Sequence, residues 1–231
     1  MGEKMVRRGA IRKLVATIAL VSLTTVAKAD DACRIAVLGD SLASSYGLDL
    51  AEGFPAQLEQ RLTAAGYDCE VLDAGVAGDT SAGGHARLEW LLADRPSHVI
   101  VELGGNDALR ALPPEEMERN LDAILTRLAA EGIPALLAGM LAPPNLGRDY
   151  GAEFGAVFPR LAEKHDVPLY PFFLEGVAGD PNLNQRDGIH PSASGIERIV
   201  DGIFPSVEDW LTAAPTGPAA SLVEEQGVVR D

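Results

Sequence analysis

IAVLGDSLASSYG, residues 35–47, joins an apolar run to a glycine, an acid and a serine without any spacer. Residues 35–38 have the composition of a buried strand, and Gly39 interrupts it. Asp40 and Ser41 then stand where the chain must turn. A serine at the end of a buried strand is a helix cap, a phosphate ligand or a nucleophile, and the rest of the chain has to separate these readings.

Outward from this stretch, apolar runs alternate with segments of helical spacing. The strand candidates are 34–39, 69–73, 97–103, 134–140 and 167–171. Helical patterns cover 54–66, 81–93, 114–131, 151–165 and 191–212. The clearest is 114–131. Pro114 opens it, Glu115 and Glu116 suit its positive end, and Met117, Leu121, Ile124, Leu125 and Leu128 form the apolar stripe before Gly132 closes it. Pro159 is expected to kink or shorten the helix at 151–165. The runs at 99–101 and 136–138 are continuously apolar, which suits strands buried on both faces. Strand–helix alternation of this kind predicts an α/β fold, a three-layer α/β/α sandwich with a parallel sheet of about five strands.

Ligands of open α/β sheets bind beyond the carboxyl ends of the strands. Three such ends carry short polar loops: Gly39-Asp40-Ser41, then Gly75 to Thr80, then Gly104-Gly105-Asn106-Asp107. No lysine follows any of them in the phosphate-loop pattern, and the dinucleotide Gly-x-Gly-x-x-Gly is absent. No close pair of histidines or cysteines suggests a metal site.

A nucleophilic serine needs a base and an orienting acid. Of the four histidines, His85, His98 and His165 read as surface or structural residues. His190 lies in Gln-Arg-Asp-Gly-Ile-His-Pro, three residues after Asp187. One tight turn then carries both groups: Asp187 accepts a hydrogen bond from Nδ1–H and leaves Nε2 for Ser41. The plainer reading of Asp187 is a turn residue that accepts backbone N–H groups. Asn106 offers a side-chain amide, and Ser41 and Gly78 offer backbone N–H groups, to a developing oxyanion. Asn106 and Gly78 also read simply as turn residues.

These blocks together resemble the SGNH (GDSL) hydrolases: Gly39-Asp40-Ser41-Leu42, Gly78, Gly104-Gly105-Asn106-Asp107, and Asp187-Gly188-Ile189-His190. The stretches at 77–84, 101–110 and 167–173 are similar to the periplasmic acyl-CoA thioesterase, lysophospholipase and arylesterase branch. The resemblance covers about residues 34–210. It implies a flavodoxin-like sandwich, with Ser41 as nucleophile, His190 as base and Asp187 as orienter. It further implies an oxyanion hole of Ser41, Gly78 and Asn106, a small-molecule acyl ester or thioester as substrate, and no cofactor or metal. Residues 107–112 correspond to a loop over the acyl chain. Leu109, Leu112, Pro144, Leu146 and Ile189 are therefore candidates for acyl contact, or else for ordinary packing. Asp73 departs from the asparagine common in relatives and adds an acidic group near the site. Sugar-ester deacetylation on the same fold is the alternative, and a non-catalytic lipid- or glycan-binding module the next.

The first 29 residues are a separate object. Arg7, Arg8, Arg12 and Lys13 precede an apolar run at 14–26, and Ala27, Lys28 and Ala29 form a small-x-small site. That is the pattern of a secretory signal peptide, with a run too short to span a bilayer. The alternative is an uncleaved anchor. The expected organisation is a signal peptide at 1–29, one hydrolase domain at 30–212 and a disordered tail at 213–231. The product is periplasmic or secreted, a monomer, with no stable membrane insertion. Without residues 1–29 the net charge is about −20, which repels nucleic acid and anionic membrane. Cys33 and Cys69 each open an apolar run. In neighbouring parallel strands they would meet as a disulfide, which export permits. The alternative is two free buried thiols.

Overall fold

Five parallel strands form the sheet: β1 (Cys33–Gly39), β2 (Cys69–Gly75), β3 (His98–Glu102), β4 (Ala135–Ala138) and β5 (Leu169–Tyr170), in the order β2-β1-β3-β4-β5. This is the doubly wound order of flavodoxin-like folds. The computed structural model describes Met1 and residues 32–213. Apart from Met1 and Ala213, the expected signal peptide and terminal tail lie outside the described residues.

Burial explains the sheet. Residues 35–38 of β1, 99–101 of β3 and 136–138 of β4 are all buried, as strands covered on both faces require. The edge strand β2 alternates only at its start, with Cys69 and Val71 inside and Glu70 exposed between them, and is more open from Leu72 onward, where Asp73 is exposed.

The helices are α1 (Phe54–Ala64), α2 (Ser81–Ala86), α3 (Leu88–Ala93), α4 (Gly105–Leu109), α5 (Pro114–Ala130), α6 (Arg148–His165) and α7 (Ala193–Thr212). On one side α1 packs on α7, and on the other α5 packs on α2 and α6. The α5 stripe of Met117, Leu121, Ile124, Leu125 and Leu128 is buried as its spacing predicts. Each such side chain contributes about 1.5–3 kcal/mol.

Four elements depart from the expectation. The helical pattern at 81–93 is two helices, broken at Arg87, whose backbone leaves the helical region (φ −102°, ψ 5°). Helix α6 starts at Arg148 and runs unshortened through Pro159. The burial of Phe154, Val157, Phe158 and Leu161 around that proline outweighs the one backbone hydrogen bond it removes. Helix α7 begins at Ala193 rather than Pro191, because Ser192 is its cap and accepts the Gly195 N–H. The segment after the Gly104-Gly105 pair opens as the short helix α4 rather than as a loop.

β1 and β2 pair in register from their first residues, Cys33 opposite Cys69. A disulfide joins the two, with Cα atoms 4.5 Å apart. It lies at the amino ends of the strands and closes a loop across a sequence separation of 36 residues. A cross-link of that length stabilises by about 2–4 kcal/mol. Cys33→Ser/Cys69→Ser should therefore lower the unfolding free energy by about that amount. Denaturant titration of the variant against the oxidised wild type, and then with reductant added to both, reads this directly: the reductant should move only the wild type.

Candidate active site

The strand order reverses between β1 and β3, so a crevice opens beyond their carboxyl ends. Ser41 follows β1 and Asn106 follows β3, which puts both at this crevice. Gly39 pairs with Glu102 in the last β1–β3 register position. A Cβ on Gly39 would collide with the Ala43 side chain and stand 2.8 Å from Glu102 Oε2. Glycine at this position therefore answers a close approach between the two strands and the serine turn.

His190 arrives from the other end of the chain. Residues 184–191 form a loop closed at its neck: Asn184 and Pro191 bridge, and Gln185 N–H donates to the His190 carbonyl at 2.7 Å. Within it, Asp187 serves both readings of the sequence at once. Its Oδ1 accepts the Ile189 and His190 N–H groups, each at 3.0 Å, while Oδ2 lies 2.6 Å from His190 Nδ1. Those backbone bonds, then the imidazole, hold the Asp187 carboxyl down at about 2. His190 Nε2 lies 2.9 Å from Ser41 Oγ. The structure thus brings Ser41, His190 and Asp187 into one hydrogen-bonded chain.

Gly78 and Asn106, with Ser41 itself, carry N–H groups beyond the carboxyl ends of strands in the same sheet. Gly78 sits at φ +83°, a conformation that favours glycine. Its carbonyl accepts from Arg110 Nη2 at 2.6 Å. Neither the Ser41 nor the Gly78 N–H has an acceptor among the described residues. Asn106 Nδ2 donates one hydrogen to Asp40 Oδ2 at 2.8 Å, which leaves its second hydrogen for a ligand.

Asp40 is buried, and its other oxygen accepts the Leu42 N–H at 2.9 Å. Burial pushes its carboxyl up to about 6, against the pull of the Leu42 and Asn106 hydrogen bonds. Glu102, also buried, accepts the Asp40 N–H at 3.3 Å. Burial and the neighbouring Asp40 hold it well above the usual carboxylate range. Its Oε1 has no partner.

A second serine–aspartate contact, Ser81 Oγ to Asp107 Oδ1 at 2.6 Å, is of another kind. Ser81 is fully buried, Asn120 occupies its other side, and no histidine meets it. It ties α2 to α4. Two of the remaining histidines are engaged elsewhere: His165 pairs with Asp122, and His98 with Ser97. Among the described residues no group of three histidines, cysteines or acids is placed to hold a metal ion.

Of the candidates for acyl contact, Leu109 and Ile189 are about half exposed. Pro144 is exposed, and Leu112 and Leu146 are partly so. Asp73 bonds the Gly75 N–H of its own strand end at 2.9 Å. Sequence reasoning missed four residues that position the loops. Arg87 reaches the Gly39 carbonyl (2.7 Å) and Asp79 (2.6 Å). Arg110, Gln185 and Asp40 are the others. A long polar side chain in a glycine-rich loop is a weak signal, and only the fold shows which carbonyl it reaches.

Residues 37–198 match the GDSL-like Lipase/Acylhydrolase family. The chain is 42% identical to Esterase TesA of Pseudomonas aeruginosa over 195 residues, covering 84% of this chain and 96% of that protein. It is 39% identical to Thioesterase 1/protease 1/lysophospholipase L1 of Escherichia coli over 193 residues, 83% of this chain and 86% of the other. The crystal structure of AlinE4, described as a SGNH-hydrolase family esterase, superposes with a TM-score of 0.66 at 47% identity, covering 79% of this chain and 98% of that one. With a matching family segment over most of its length and its sheet order intact, the chain belongs to the GDSL-like lipase and acylhydrolase family and is an enzyme of that class of carboxylic ester hydrolases.

Proposed function

We propose that the protein is an exported serine esterase that cleaves carboxylic esters and thioesters of acyl chains through an acyl-enzyme on Ser41. The observation that carries this reading is the continuous chain Asp187–His190–Ser41 beside three amide donors with hydrogens to spare. His190 Nε2 takes the Ser41 proton as Oγ attacks the acyl carbon. The carbonyl electron pair moves to oxygen, where Ser41 N–H, Gly78 N–H and Asn106 Nδ2 receive it. The bond to the alcohol or thiol then breaks, and that group leaves with the proton from His190. Water repeats the sequence on the acyl-enzyme, and His190 acts first as base and then as acid. Every step uses side chains and backbone of one chain, so we read the enzyme as active as a monomer.

The relatives' descriptions as esterase, thioesterase and lysophospholipase support the substrate class. So does the apolar character of the accessible Leu109 and Ile189. Export is supported by the basic-apolar-small pattern of residues 1–29 and by the Cys33–Cys69 bridge, a feature of oxidising compartments. Among the described residues no helix is long and apolar enough to cross a membrane.

The deciding experiment is hydrolysis of p-nitrophenyl esters with acyl chains of two to sixteen carbons, by wild type and Ser41→Ala. Ser41→Ala should fall to background on every ester. A wild-type rate that collapses beyond acetyl would replace the acyl-chain reading with ester deacetylation. Asn106→Ala should lower kcat by about 10²–10³ with a smaller change in KM, as for the loss of one oxyanion donor.

Asp40→Asn separates stability from activity. Folding raises the Asp40 carboxyl from 3.8 to about 6. Its contribution to stability is therefore fully present below about pH 4 and is lost as pH rises through 6. The variant removes that titration, so its stability relative to wild type should rise by about 2–3 kcal/mol between pH 4 and 7.5, read by urea unfolding. Its kcat should fall at least about tenfold, because one amide oxygen cannot serve both Leu42 and Asn106.

A further inference from the structure

The His190 imidazole is held on three sides. Asp187 occupies Nδ1 and Ser41 meets Nε2. The third contact is with its face: the Tyr46 ring lies over it, with centroids 4.4 Å apart and planes inclined by 36°. Tyr46 belongs to the loop that follows Ser41, and His190 lies 144 positions further along the chain. The two loops are tied through backbone as well. Gln185 Nε2 donates to the Tyr46 carbonyl at 2.9 Å and to the Pro191 carbonyl at 3.0 Å. Gly47, at φ +73°, lets the chain close against the Gln185 side chain, where a Cβ would collide with Oε1.

Two features of Tyr46 are not explained by packing. The residue is 48% exposed, so core burial does not hold it in place. Its hydroxyl makes no hydrogen bond among the described residues, so its polar end is not what fixes it. What remains is the ring face, and the ring face meets the one group that becomes cationic during the reaction.

We propose that Tyr46 is a positioning residue for the general base: its π-face stabilises the imidazolium that His190 becomes each time it takes a proton. This rests on the reading of His190 as base and Ser41 as nucleophile. When Oγ bonds to the acyl carbon, the proton moves to Nε2 and the imidazole carries a full positive charge between Asp187 and the aromatic face. The same ion forms again when water attacks the acyl-enzyme, so the ring acts in both halves of the cycle. An aromatic face close to a cation is worth a modest factor at exposed sites and more where water is displaced. Removing it should cost about 3- to 30-fold in rate. The neutral imidazole of the resting enzyme gains much less, so the effect falls on kcat rather than on KM.

The test compares Tyr46→Phe, Tyr46→Leu and two forms with 4-fluoro- or 3,4,5-trifluorophenylalanine at position 46. Fluorine drains charge from the ring face with little change of shape, so this series does not depend on how Leu folds. Substrates are p-nitrophenyl butyrate and ethyl butyrate, with Ser41→Ala carried alongside. The expected result is kcat within about two-fold for Phe, a stepwise fall with fluorination, and a loss of about 3- to 30-fold for Leu on both esters. KM should stay within about two-fold throughout. A flat fluorine series, or Phe losing as much as Leu, overturns the proposal. So does a loss confined to KM of the aryl ester, which would make Tyr46 a contact for the leaving group. If Ser41→Ala keeps wild-type activity, the serine reading itself fails and the proposal with it. If Ser41→Ala is silent and the fluorine series is flat, only the role of Tyr46 is lost.

Discussion

The hydrogen bond from Asn106 to the buried Asp40 carboxylate is the contact on which the site turns. It spans the two strands that flank the crevice, one followed by Ser41 and the other by Asn106. It depends in turn on the parallel register that sets Gly39 opposite Glu102 and places a second carboxyl beneath the turn. Two acids in one dry environment cannot both ionise cheaply. Burial pushes both up, Asp40 to about 6 and Glu102 well above the usual carboxylate range, where the neighbouring Asp40 adds to the effect. A core of fully buried residues at 35–38 and 99–101 over-determines this arrangement.

Above that foundation the loops are secured in a consistent way. Three long polar side chains each reach across to a backbone carbonyl of another loop: Arg87 to Gly39, Arg110 to Gly78 and Gln185 to Tyr46. Each accepting peptide lies at or beside a residue whose position matters to the chemistry. Carbonyls on these loops are thereby satisfied from inside the protein, while the Ser41 and Gly78 N–H groups stay unoccupied. This division of donors and acceptors leaves backbone N–H groups of two loops free for a ligand among the described residues.

Much of this was legible in the sequence, for identifiable reasons. The strands at 35–38, 99–101 and 136–138 announced themselves because burial on both faces demands uninterrupted apolar runs. The α5 stripe was clear because a long amphipathic period is hard to imitate by chance. Asp187 and His190 could be paired because one turn holds both. The break at Arg87 was hidden, because the partners of that side chain include a carbonyl 48 positions away, which no local pattern shows. The persistence of α6 through Pro159 was hidden for a related reason: local propensity argues for a break, and only tertiary burial overrules it. The roles of Asp40, Gln185 and Tyr46 depend on which loops the sheet order brings together, and no local pattern encodes that.

The closed loop at 184–191 has a mechanical consequence. Because Asp187 and His190 share one turn, and that turn also satisfies its own N–H groups through Asp187, the two side chains form a single hydrogen-bonded unit. A displacement of the loop shifts both together and leaves their mutual geometry untouched. Of the two distances that a proton relay must keep, only the one to Ser41 is exposed to the accidents of tertiary structure. The entropic cost of aligning three groups is thus reduced to that of aligning two bodies.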